Sequence, residues 1–159
     1  VREGHFQPGS YTVSAHVPLG AACGATPDGR HAHEQLADGG LSPMCGRDAH
    51  GPTASLMSVS KLNNALESNG SLLNVKFSPS TLEGEAGLAK LAAYVRAFSR
   101  LGIQHIQFNV VDRATLVDAQ EHPERHRDLV VRVAGYSALF VELSRTLQDD
   151  IINRTEHVL

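Results

Sequence analysis

Hydrophobic positions recur at helical spacing or alternate along most of the chain from residue 56 onward. Leu56, Val59, Leu62 and Leu66 step by three and four, which predicts a helix that Asn69-Gly70 ends. Leu72–Phe77 alternates as a strand. Leu88, Leu91, Ala92, Val95 and Phe98 mark a second helix, stopped by Gly102. Ile103–Val111 reads as a second strand, and a short helix from Thr115 to Glu121 halts before Pro123, because the residue ahead of a proline is pushed out of the helical region. Leu129–Ala134 is apolar and β-branched, a third strand, and Leu139, Leu143, Leu147 and Ile151 at four-residue steps predict a long helix after Gly135. Strand and helix alternate, so the fold class is α/β.

Residues 1–55 have no such rhythm. Pro8, Pro18, Pro27, Pro43 and Pro52, with the turn signals Pro27-Asp28-Gly29 and Asp38-Gly39-Gly40, exclude long helices. Only Ser10–Val17 has a strand-like run, with Tyr11, Val13 and Ala15 alternating against Thr12, Ser14 and His16. Structureless stretches above ~12–15 residues inside a compact domain usually belong to a larger body. This region is therefore expected to pack on further structure, and the opening Val1-Arg2-Glu3, without an initiator Met, reads as the tail of a longer chain.

Composition narrows the function classes. The 159 residues hold 14 Lys+Arg against 17 Asp+Glu, a net charge of −3 with no basic run, so the chain lacks the electrostatic footprint of a nucleic-acid binder. No apolar run approaches the ~18 residues of a spanning helix, and the first residues lack a signal peptide's layout, so a soluble, cytoplasmic protein without a membrane partner is expected. The two cysteines, Cys23 and Cys45, form no CxxC and suit a reducing compartment.

Three features could carry chemistry. In Ile103–Val111, His105, Gln107 and Asn109 oppose Ile106, Phe108 and Val110. Such alternation reads first as one solvated face; in an α/β barrel it gives a polar lumen with helices over the apolar outside. In Arg132-Val133-Ala134-Gly135-Tyr136-Ser137, the lone glycine reads as a strand-to-helix turn, since one glycine without a following lysine is no nucleotide signature. Among nine histidines, His31-Ala32-His33 and His50 show no convergence with Cys23 or Cys45, so no metal site is expected. His122, His126 and His157 read as structural or surface groups, and Asp149-Asp150 as solvated charge.

The segment Arg132–Ala138 resembles the R-V-[SA]-G-Y motif of the glycyl radical enzymes related to pyruvate formate-lyase. Its flanks agree: Gln107–Val111, His122-Pro123-Glu124, Ile151-Ile152-Asn153-Arg154-Thr155, Gly24–Arg30 and Gly46–Ala54 are each similar to segments of that family, so the likeness covers nearly the whole chain. Val133–Phe140 and Leu36–Pro43 are similar to its dehydratase and lyase branch, the one with glycerol and propanediol dehydratases and choline trimethylamine-lyase. Gln35 departs from the family's usual proline, and His31 and His33 from its commoner basic run.

The resemblance implies the C-terminal part of a ten-stranded α/β barrel, with residues 1–70 in the catalytic barrel and 71–159 a glycine radical domain. It implies that Gly135 is the radical site: hydrogen loss from its Cα leaves an electron delocalised over the adjoining amide and carbonyl, and burial shields it. It further implies a separate S-adenosylmethionine/[4Fe-4S] activating enzyme that installs the radical, with Arg132, Val133 and Tyr136 in its recognition, and no bound cofactor otherwise. The radical then passes to a Cys-x-Glu cysteine. Cys23 precedes Gly24-Ala25 and Cys45 precedes Gly46-Arg47, so that cysteine belongs to the rest of the catalytic chain, and both thiols here are read as buried or neutral.

Tyr11, Thr12 and Ser14 are candidate contacts to a small diol such as glycerol or 1,2-propanediol, against plain barrel packing. A homodimer and a cytoplasmic or bacterial-microcompartment setting go with the family. Alternatives are a rescue subunit for an oxygen-cleaved enzyme, formate acetyltransferase activity itself, and a non-catalytic α/β binding protein.

Overall fold

The computed structural model describes residues 3–12 and 16–159. The elements in chain order are α1 (His16–Ala22), α2 (Pro52–Val59), β1 (Asn74–Phe77), α3 (Gly84–Arg100), β2 (Gln107–Val110), α4 (Arg113–Glu121), β3 (Val130–Arg132), β4 (Ser137–Leu139), α5 (Arg145–Asn153) and β5 (Glu156–His157). β1 pairs in parallel with β2, Asn74 opposite Gln107 and Lys76 opposite Asn109, and on its other edge with β5. The stretch β1–α3–β2 is a βαβ crossover, the way parallel neighbours are joined. β3 and β4 form an antiparallel hairpin.

Among the described residues two apolar cores result. One joins the outward side chains of β1, Val75 and Phe77, to Tyr94 of α3 and to Leu56 and Val59 of α2. Phe77 meets Tyr94 edge-on at 5.5 Å between ring centroids, with Phe108 of β2 at 5.7 Å. The other lies between the hairpin, α4 and α5: Val131, Val133, Leu116, Ala119, Phe140, Ile151 and Ile152. Asp112 starts α4 by accepting the Thr115 amide at 2.7 Å, an N-cap that satisfies one of the helix's orphan donors.

Several elements depart from the pattern. The predicted strand Ser10–Val17 gives way to α1 at His16; Val13, Ser14 and Ala15 lie outside the described residues. Pro18 sits in the first turn, where its missing N–H costs nothing, and a Cβ on Gly20 would overlap the Glu34–Gln35 backbone, so the close approach of these two segments requires the glycine. The helix expected through Leu66 stops at Val59. Buried Asn64 donates to the carbonyls of Val59 (3.2 Å) and Leu62 (3.0 Å), competing with the helical ladder, and Leu62 and Leu66 end up exposed. In α3 the buried line runs through Gly87 and Tyr94, while Leu88 and Val95 of the expected stripe are exposed.

The chain departs furthest from the pattern after Gly135. No long helix follows: Ser137–Leu139 pairs back on Val130–Arg132, and α5 begins only at Arg145. Of the residues at four-residue steps, Leu147 and Ile151 lie in α5 and Leu139 in β4. The cross-strand hydrogen bonds and the core contact of Phe140 outweigh a helical spacing that held by coincidence.

Candidate functional site

The site is built on the inward face of β1 and β2. Gln107 and Asn109 are 6% and 7% exposed, whereas Val110 beside them is half exposed, so the first reading of this alternation is overturned: the polar face is the buried one. Asn109 holds Arg132 both ways, its Nδ2 donating to the Arg132 carbonyl (2.7 Å) and its Oδ1 accepting the Arg132 amide (2.7 Å). One side-chain amide thus substitutes for a neighbouring strand along the edge of the hairpin. Gln107 accepts from Arg132 Nε at 3.2 Å and donates to Asn74 Oδ1.

Ala134 and Gly135 form the hairpin tip, closed by the Val133 amide donating to the Tyr136 carbonyl at 2.9 Å. Gly135 has φ +84°, so the expected strand-to-helix turn is a hairpin turn. A Cβ there would stand 3.4 Å from Leu72 Cδ1, an ordinary contact. The requirement for glycine is therefore conformational, since a side chain strains that φ whatever the space. Val133 and Ala134 are fully buried and Gly135 is exposed, so the expected burial of Gly135 is not supplied by the described residues.

Arg132 and Tyr136 flank the tip, Arg132 reaching Ser137 Oγ at 3.0 Å. Tyr11 and Thr12 are engaged elsewhere: the Tyr11 hydroxyl accepts from Asn69 Nδ2 (2.9 Å), and Thr12 Oγ1 donates to the Ala37 carbonyl (3.3 Å). Ser14 lies outside the described residues.

Beneath the hairpin lies a charged cluster that the pattern reading passed over. Asp150 is buried, not solvated as expected; it accepts from His16 Nε2 (3.0 Å), Gln35 Nε2 (2.5 Å) and Arg154 (2.7 Å). Burial pushes its carboxyl up, but the His16 and Arg154 contacts outweigh it and hold the group below the usual aspartate range. Asp38 is raised, burial prevailing over the pull of Arg154. Asp149, in contrast, is exposed. The signal available was the i,i+4 spacing of Asp150 and Arg154 on one helical face. His157 is likewise a buried partner of Asp48 at 3.0 Å.

Lys76, 3% exposed, donates to the carbonyls of Ile151 (3.3 Å) and Ile152 (3.2 Å) at the end of α5, and burial brings its pKa down to about 8. A polar cavity of about 40 Å³ lies among Asp38, Asp48, Lys76, Asn109 and Arg154, with room for a few waters. Cys45 is exposed rather than buried, and desolvation with the nearby Asp150 and Asp48 carboxylates raises its pKa, which keeps it neutral, the other arm of the reading. Among the described residues no cluster of three His, Cys, Asp or Glu could hold a metal, and no helix is long and apolar enough to cross a membrane.

The family model described as Glycine radical matches residues 37–141, a span that contains both strands of the hairpin and its tip. The chain belongs to the glycine radical family. Its glycyl radical relatives include the probable dehydratase YbiW of Escherichia coli K12, 53% identical over 98% of this chain and 19% of that protein. The B12-independent glycerol dehydratase of Clostridium butyricum, solved with glycerol bound, superposes with a TM-score of 0.94 at 51% identity over 98% of this chain and 20% of that one. The structure describing 1,2-propanediol dehydration in Roseburia inulinivorans gives 0.90 at 58% identity over 94% of this chain and 19% of that one. The chain thus spans about a fifth of the length of these glycyl radical relatives, and its mixed α/β fold is theirs.

Proposed function

We propose that Gly135 stores a glycyl radical for a radical lyase of the dehydratase branch. One observation carries this: within the span that the family model matches, Gly135 sits at a hairpin tip whose positive φ asks for glycine and whose stem is held by Asn109. With no Cβ, the Gly135 α-carbon can flatten toward its two flanking peptides as hydrogen leaves, the geometry that delocalisation needs.

In this reading an S-adenosylmethionine/[4Fe-4S] activating enzyme removes the hydrogen while the tip is exposed, and meets Arg132 and Tyr136 there; Val133, fully buried beneath the tip, offers it no side-chain contact. The remainder of the catalytic chain then covers the tip and supplies the cysteine that relays the radical. The substrate is a small 1,2-diol, glycerol or 1,2-propanediol, from which hydrogen abstraction is followed by loss of water; the dehydratases named above support that class. Tyr11, Thr12 and Ser14 are proposed substrate contacts, and residues 1–70 and 71–159 the barrel part and the radical domain.

Mass spectrometry tests the radical site. Protein activated without oxygen and then exposed to air is expected to break at Gly135, leaving a fragment that ends beside Ala134. An intact chain after activation and aeration overturns the assignment.

A further inference from the structure

Arg154 follows α5 and is 8% exposed, yet its guanidinium reaches four acceptors at once. Nε and Nη2 both donate to Asp150 Oδ2, at 3.1 and 2.7 Å, and Nε lies 2.9 Å from Asp38 Oδ2 as an ion pair, while Nη1 donates to the carbonyls of Val133 (2.8 Å) and Arg132 (3.4 Å). Both acids are held in turn. Asp150 accepts from His16 and Gln35, on the two segments that pack through Gly20, and Asp38 accepts from Asn74 Nδ2 at 3.1 Å. Gln35, with its side chain on Asp150, is the residue that departs from the family's proline.

The arrangement is directional. Two carboxylates fix the guanidinium plane, and the remaining edge of the fork points at the two carbonyls where β3 enters the tip. A lysine offers one point charge on a flexible stem and cannot donate to Asp150 and both carbonyls in one plane.

We propose that Arg154 is a positioning residue, the latch whose hold on the carbonyls of Arg132 and Val133 sets how readily the Gly135 hairpin leaves its seat. It touches neither Gly135 nor any substrate. Taken with the radical reading of Gly135, on which this consequence rests, a tight latch slows radical installation and prolongs the radical's life. A loosened one does the reverse.

The test uses Arg154→Lys, which keeps the charge, and Asp150→Asn, which weakens the hold on the guanidinium without leaving an unpaired charge in its own place, both in the full chain. Amide exchange is read by mass spectrometry over residues 130–139 and, as control, over α3. The latch predicts at least tenfold faster exchange in the hairpin with α3 unchanged. Wild-type exchange in the hairpin, or an equal rise in both regions, overturns it, the second because it marks a general structural role. Electron paramagnetic resonance with the activating enzyme adds the kinetics: the variants should gain signal several-fold faster and lose it several-fold faster once activation is stopped, and wild-type kinetics in both count against the latch. A wild-type chain that yields no signal counts against Gly135 instead, and the exchange result still decides for or against Arg154.

Discussion

The two faces of the β1–β2 pair do different work. Outward, Val75, Phe77 and Phe108 pack on Tyr94 in an apolar layer whose attraction is non-directional. Inward, Asn74, Lys76, Gln107 and Asn109 are buried or nearly so, and each hydrogen-bonds the hairpin, the α5 terminus or a neighbouring inward side chain. The outer face supplies stability and tolerates swaps that keep volume. The inner face supplies position, because a hydrogen bond specifies a direction and a buried donor left unpaired is costly.

That contrast breaks most visibly at Phe77, fully buried at the centre of the outer layer. Phe77→Ala should cost about 3–5 kcal/mol of global stability by chemical denaturation. A loss near zero would mean that the aromatic layer does not hold the sheet. Lys76 tests the inner face by pH. Its folded pKa of about 8 lies below its ordinary 10.5, so the fold disfavours the charged form; that penalty is full below pH 8 and is relieved as pH rises from 8 toward 10.5. Stability should therefore rise across that window, by on the order of 3 kcal/mol at most. Lys76→Met should lack the rise, and an identical pH profile in the variant would contradict the assignment.

Asn109→Ala removes the reciprocal pair on Arg132 and should loosen the hairpin by about 1–3 kcal/mol, seen as faster exchange at residues 130–139 with the outer layer intact. Equal loosening of α3 would erase the distinction between the faces. The smallest effect is expected at Tyr94→Phe, which keeps the ring and loses only the hydroxyl's bond to the Pro52 carbonyl at 3.3 Å, a change of about 0.5–1.5 kcal/mol.

Much of the sheet was legible because β1 and β2 alternate cleanly, but periodicity could not say which face is wet. Gln107 and Asn109 resemble solvated residues until the hairpin that they bind is placed over them. The α/β class and α3, α4 and the three strands before Gly135 follow from local signals, with ends shifted by a few residues. The hairpin does not, because four-residue leucine steps over 139–151 mimic a helix and only the pairing of Val131 with Ala138 distinguishes the two. The likeness of the motif around Gly135 pointed to the proposed radical position, while the support beneath it stayed hidden. Asp150 and Arg154 reach Asp38 and His16 from more than a hundred residues away in sequence, a separation that no window of the chain spans.

The proposed chemistry requires an unpaired electron on the Gly135 α-carbon. Electron paramagnetic resonance after anaerobic incubation with the activating enzyme, S-adenosylmethionine and a reductant tests it directly. The expected signal is a doublet, split by the one remaining α-hydrogen, that collapses to a single line in protein made with α-deuterated glycine and is absent in Gly135→Ala. A doublet that survives in Gly135→Ala, or no signal from the unaltered chain, would contradict it.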